Sequence, residues 1–196
     1  MEIIRENLSS EQKERVQTDL KIIGQLTKVA PQLGMRLIIS GGYAVDGYLE
    51  GITRFHNDID IQIYGTDSNP KEAIEKILKS INPEVLDYKI NYKGRKEYYH
   101  NLIYHLGGSN LDIYYLQTKI SPLGKDKQII KSDGTVDKQQ FSEPVYGRIG
   151  DIVYEIQSPE TELKDKIYKR KIRGDVKRDE HLQDIENLTR NLSKSR

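Results

Sequence analysis

The stretch from Met35 to Ile63, MRLIISGGYAVDGYLEGITRFHNDIDIQI, constrains the fold more than any other part of the chain. It closes on Asp58-Ile59-Asp60-Ile61-Gln62-Ile63, where polar and apolar residues alternate strictly, the period of a half-buried strand. Ile59, Ile61 and Ile63 face one way; Asp58, Asp60 and Gln62 face the other. It opens on Leu37-Ile38-Ile39, apolar and too short for a helix, so Arg36 to Ser40 is read as a second strand. Between them Ser40-Gly41-Gly42 breaks the chain, and Tyr43 to Leu49 reads as a short helix with Ala44, Val45 and Tyr48 on one side.

Residues i and i+2 of a strand lie about 6.6 Å apart on one face. Two carboxylates so placed repel each other without a counter-ion, and a divalent cation with oxygen ligands, Mg²⁺ above all, relieves that repulsion. A pair of ions about 3.5–4 Å apart fits the same arrangement. A glycine turn before a helix offers free backbone N–H groups to phosphate oxygens. By itself each signal is bland, since a Gly-Gly after a strand is most often only a turn and an Asp-x-Asp is as often a solvated face. Together, in this order, they point to a nucleoside triphosphate site.

The same residues resemble the signature of the aminoglycoside and lincosamide nucleotidyltransferases, within the polymerase-beta-like nucleotidyltransferase superfamily. Gly41-Gly42, Tyr43, Ala44, Val45-Asp46, Thr53-Arg54, His56 and Asp58-Ile59-Asp60 carry the resemblance, with Tyr43 where Trp is common. It implies an α/β (α+β) fold, a mixed, mostly antiparallel sheet flanked by helices. It also implies a third carboxylate on a later strand, for which Leu111-Asp112-Ile113 is the best match, and a cation about six residues beyond a Pro-Glu, which is Lys166. The resemblance thus names Asp58, Asp60 and Asp112 as catalytic and metal-binding, with Asp112 also taking the acceptor proton. Ser40, Gly41, Gly42, Arg54 and Lys166 are the nucleotide-binding set. Mg²⁺, as two ions, and an NTP, ATP first, are the implied cofactor and co-substrate.

The rest of the chain is read as support. Residues 9 to 30 predict an amphipathic helix with a Ser9/Gln12 capping box, one face of Val16, Leu20, Ile23 and Leu26, and Pro31 and Gly34 as its end. Residues 71 to 81 predict another helix, and 85 to 92, 96 to 106 and 111 to 116 predict three strands, the last two joined through Gly107-Gly108-Ser109-Asn110. Residues 124 to 140 read as polar turns, and Ile152 to Ile156 as a strand. From Ser158 the chain turns helical, breaks at Gly174, and ends in a helix over 178 to 188 with a frayed tail. The expected organisation is a core over 1–157 and a C-terminal helical extension of the same domain over 158–196. His56 is read as a loop residue that positions the aspartates, Asp46 as a structural acid, and Arg54 as pairing equally well with phosphate or carboxylate. Asp184 is read as holding the last helix to its neighbour.

A chain of 196 residues can bury a real core. With 31% charged residues, mean hydropathy −0.70 and no apolar run of membrane-spanning length, it reads as soluble and, lacking a signal peptide, cytoplasmic. Net charge +1 supplies no global attraction to nucleic acid or membrane, and the absence of cysteine removes disulfides and thiolate metal sites. The expected function is transfer of a nucleoside monophosphate, AMP first, to a hydroxyl of a small acceptor such as an aminoglycoside or lincosamide. Glu50 and Asp46 are placed to make the acceptor cleft acidic. The basic run between Lys164 and Arg173 favours a second reading, a toxin–antitoxin type nucleotidyltransferase acting on tRNA or protein. A third is a non-catalytic nucleotide-binding module, which the intact acidic set argues against.

Overall fold

The structure is a computed structural model that describes residues 8–81, 100–106, 108–131, 135–173 and 179–194. The strand expected over 85–92 and the start of that expected at 96 lie outside these residues, as does the break at Gly174.

Helix α1 (Ser10–Gln32) begins with the Ser9/Gln12 capping box and buries Val16, Leu20, Ile23 and Leu26. It runs past the expected stop through Pro31, since proline within the last turn forgoes only one backbone bond. Gly34, at φ +73°, then closes it: its N–H bonds the Pro31 carbonyl and that of Met35 the Ala30 carbonyl.

Strand β1 (Arg36–Ser40), helix α2 (Gly41–Tyr48), strand β2 (Ile59–Gly65) and helix α3 (Pro70–Ile81) follow. β3 (His100–Leu106) and β4 (Ser109–Gln117) form the expected hairpin, closed by the Leu106–Ser109 pair. β5 (Asp126–Ile130) and β6 (Val136–Gln140) make a separate two-stranded ribbon where only turns were expected. In β5, DKQII, only Ile129 is buried, so the sequence carries no alternation to read. β7 (Val145–Ile149) and β8 (Ile152–Ile156) form a second hairpin, and the chain ends in α4 (Pro159–Arg173) and α5 (Asp179–Leu192).

The main sheet has the order β3-β4-β2-β1-β8-β7. β2 runs antiparallel to β1 but parallel to β4, and β1 runs parallel to β8. Register follows from burial. Ile59, Ile61 and Ile63 are fully buried and join Leu37, Ile39, Leu111, Ile113 and Tyr115 in one core with residues of α1 and α3. Slipping β2 by one residue would expose all three isoleucines, at about 1.5–3 kcal/mol each, and drive Asp60 and Gln62 into that core. The opposite face is left polar, and the site lies there. Among the described residues no helix is long and apolar enough to cross a membrane.

Candidate active site

Register alone assembles the centre of the site. Ser40 pairs with Asp60 across β1 and β2, and Asp60 pairs with Asp112 across β2 and β4. Three residues far apart in sequence therefore stand abreast on one face of three adjacent strands, about 4.8 Å from strand to strand. The next row along is Ile38, Gln62 and Tyr114, and the Tyr114 hydroxyl donates to Oδ2 of Asp112 at 3.0 Å. Asp58 precedes β2 and is exposed. As the side chains stand, no three acidic or histidine groups among the described residues converge closely enough to hold an ion.

Burial and the neighbouring carboxylates Asp58 and Asp112 push Asp60 up to about 6, against the pull of Lys169 and Lys166. A carboxyl group held so far above its ordinary value is one to which a cation would bring relief.

The two glycines are required by their neighbours, and they begin a helix rather than forming a loop. Gly41, at φ +69°, lies so close to Asp60 that a Cβ there would meet the carboxylate Oδ2 at 2.0 Å; a Cβ on Gly42 would meet His56 Nδ1 at 2.1 Å. His56 in turn bonds Asp46 at 2.6 Å through Nε2. Asp46 also accepts the Thr53 N–H at 3.0 Å and the Thr53 hydroxyl at 2.6 Å. Asp46 is therefore a buried brace beneath the turn, and Glu50 is exposed beyond the end of α2, so neither lines the cleft over Asp60. Helix α1 reaches the same place. Its buried Asp19 accepts the Tyr43 hydroxyl at 2.7 Å and also that of Ser109, which starts β4 three residues before Asp112. Tyr43 lies tilted against His56, ring centroids 4.7 Å apart. In the sequence α1 reads as packing, and no pattern sets Asp19 apart from its other polar positions.

A cleft of about 430 Å³ opens over the Ser40 and Asp60 end of this row, with Asp112 just outside its lining. Ser40, Gly41 and Asp60 form one end; Gln62, Tyr114 and Gln157 continue it; Glu162, Asp165, Tyr168 and Lys169 of α4 form the opposing wall. Arg54 and Lys166, both expected on the nucleotide, instead meet on Asp184. Arg54 donates to both of its oxygens, at 3.1 and 2.8 Å, and Lys166 Nζ donates at 2.8 Å. Burial favours the neutral acid at Asp184, but the two cations outweigh it and hold the carboxylate below its usual range. Lys169 is the cation that lines the cleft among the described residues. One signal for it was available: Glu162, Lys166 and Lys169 fall at i, i+4 and i+7, a single stripe of α4.

Residues 22–142 match the model of a family described as aminoglycoside-2''-adenylyltransferase. A 2''-aminoglycoside nucleotidyltransferase of Klebsiella pneumoniae is 35% identical over 71 residues, 36% of this chain and 40% of the relative, and one of Escherichia coli matches over the same shares. The chain thus spans well under two thirds of the length of these relatives. Among solved structures, ANT(2'')-Ia in complex with adenylyl-2''-tobramycin superimposes with a TM-score of 0.57 at 19% identity, over 89% of this chain and 90% of that one. The lincosamide adenylyltransferase LnuA with lincomycin bound gives 0.54 at 18%, over 94% and 98%. At such identities the likeness is one of fold, and the fold is that of the nucleotidyltransferases.

Proposed function

The chain belongs to the aminoglycoside-2''-adenylyltransferase family, and from that premise we propose that it transfers AMP from ATP to a hydroxyl of an aminoglycoside. The observation that carries the proposal is the row Ser40, Asp60, Asp112, whose first two members line a cleft that begins at the α2 N-terminus. An N-terminus of this kind offers oriented N–H groups to phosphate oxygens, so Ser40, Gly41 and Gly42 would hold the triphosphate. Asp58, Asp60 and Asp112 would hold Mg²⁺, Asp58 turning in from the loop just before β2. The donor set is all oxygen, which suits that ion, and the raised affinity of Asp60 for a proton marks the place where positive charge is wanted. When bound, the metal supplies charge neutralisation at the phosphates and lowers the cost of an ionised acceptor oxygen.

The chain's own groups do the rest by position. Asp112 takes the proton from the acceptor hydroxyl, whose oxygen attacks the α-phosphorus in line. A P–O bond forms to the acceptor as the bond to the bridging oxygen breaks, and pyrophosphate leaves with that electron pair. Lys169, on the cleft wall, takes the part the resemblance implied for Lys166, countering the charge on the departing phosphates. Lys166 and Arg54 act at one remove, through Asp184, by fixing α4 and α5 against the loop before β2. The acid Asp165 on the same wall favours a cationic acceptor.

Transfer of label from α-labelled ATP, GTP, CTP and UTP tests this against panels of aminoglycosides and lincosamides, a tRNA pool and the protein alone. The expected result is a labelled aminoglycoside, with ATP as donor, and loss of transfer in EDTA. Label on tRNA or protein and on no antibiotic would replace this reading with the toxin-type one.

A further inference from the structure

The backbone donor that opens the phosphate-binding turn is already in use. Glu162, in the first turn of α4, accepts the Gly41 N–H through Oε1 at 2.7 Å, across 121 positions of chain. Its side chain lies inside the fold, 4% exposed, and lines the cleft beside Asp60. Ser40 stands at the N-cap of α2 yet makes no side-chain cap bond, although serine is among the best capping residues. The end of α2 is therefore capped by a carboxylate from another helix, while its own cap residue faces the cleft. To a backbone amide a carboxylate and a phosphate present the same thing, an oxygen anion, and the two cannot share one N–H at hydrogen-bond distance. The charges around Glu162 do not remove the conflict: Lys166 and Lys169 attract it, Asp60 repels it, and Lys166 is already spent on Asp184.

We propose that Glu162 is a built-in competitor for the phosphate position, and that nucleotide binds only as this side chain leaves Gly41. The proposal rests on the nucleotide site assigned above. With Lys166 anchored on Asp184, the displacement requires rotation of Glu162 and a yielding first turn of α4, not detachment of the helix.

The test is the affinity of Mg-ATP and of inorganic pyrophosphate for the wild type, Glu162→Gln and Glu162→Ala, measured by calorimetry alongside each protein's unfolding midpoint. Glu162→Ala frees the amide and removes the like charge, so it is expected to bind both probes about tenfold more tightly, a gain of ~1.4 kcal/mol. Glu162→Gln keeps an acceptor without the charge and is expected to fall between the two. If the alanine variant fails to fold, the glutamine variant decides alone. Wild-type binding with equal or weaker binding by the variants overturns the proposal and makes Glu162 an anchor of the turn. Failure of all three proteins to bind either probe overturns the nucleotide site itself, and this inference with it.

Discussion

Gly41→Ala isolates the geometry on which the site depends. The added methyl would lie 2.0 Å from Oδ2 of Asp60 and 2.8 Å from its Cγ. To restore a separation of about 3.5 Å the carboxylate must retreat by about 1.5 Å. A misplacement of about 1 Å at a reacting centre costs on the order of 100-fold in rate, so transfer should fall by at least about that factor. Stability should fall far less. Alanine in the left-handed region costs about 1–2 kcal/mol, which for a chain of this length lowers Tm by roughly 2–8 °C. Gly34 supplies the control, because its φ of +73° imposes the same backbone strain while nothing lies within 4 Å of the position its Cβ would take. Both variants would be assayed for label transfer from α-labelled ATP to an aminoglycoside, and for Tm. Similar losses of stability with a collapse of activity in Gly41→Ala alone are expected. Equal activity in the two would refute the claim that the closeness of Gly41 to Asp60 serves the chemistry.

Asp60→Asn should abolish transfer while leaving the fold and Tm near wild type, because the change removes the charge and keeps the shape; retained activity would sink the metal assignment. Asp184→Asn leaves the buried Arg54 and Lys166 without a full counter-charge. It should cost about 3–5 kcal/mol, read as a shift in the denaturant midpoint. Burial pushes Glu162 up to about 7 from an ordinary value of 4.5. The folded protein thus holds this proton more tightly than the unfolded chain, so the contribution is fully present below pH 4.5 and is lost as pH rises through 7. At about 1.4 kcal/mol per unit, the loss is on the order of 3 kcal/mol. Glu162→Gln should therefore be more stable than wild type at pH 8 and indistinguishable from it at pH 4, and equal stability at both would refute the shift.

What the sequence made legible was whatever repeats with the period of an element. The alternation in Asp58 to Ile63 fixed a strand, a face and a register, and with Leu111-Asp112-Ile113 beside it that register sufficed to bring Asp60 and Asp112 together. The capping box at Ser9 and the apolar stripe of α1 were equally readable. The ribbon β5–β6 was not, since β5 buries Ile129 alone and presents no periodic apolar face. Nor was the role of Asp19: a charged residue on an amphipathic helix reads as solvated until tertiary structure sets Tyr43 and Ser109 over it.

The cations show where such reading stops. Arg54 suits phosphate and carboxylate alike, and the resemblance puts Lys166 on the nucleotide, but periodicity does not say which anion a long side chain finds. Asp184 decides it. By drawing Arg54 from the loop before β2 and Lys166 from α4, it turns both into struts and leaves Lys169, three residues on, to face the cleft. Helices α4 and α5 therefore give the cleft a wall as well as a support. α4 brings Glu162, Asp165, Tyr168 and Lys169 to the cleft, and α5 brings the acid that holds α4 in place. Loosening Asp184 should consequently reach the chemistry as well as the fold. Shortening the chain at 157 would remove that wall, taking Lys169 from the cleft and opening Asp60 to water.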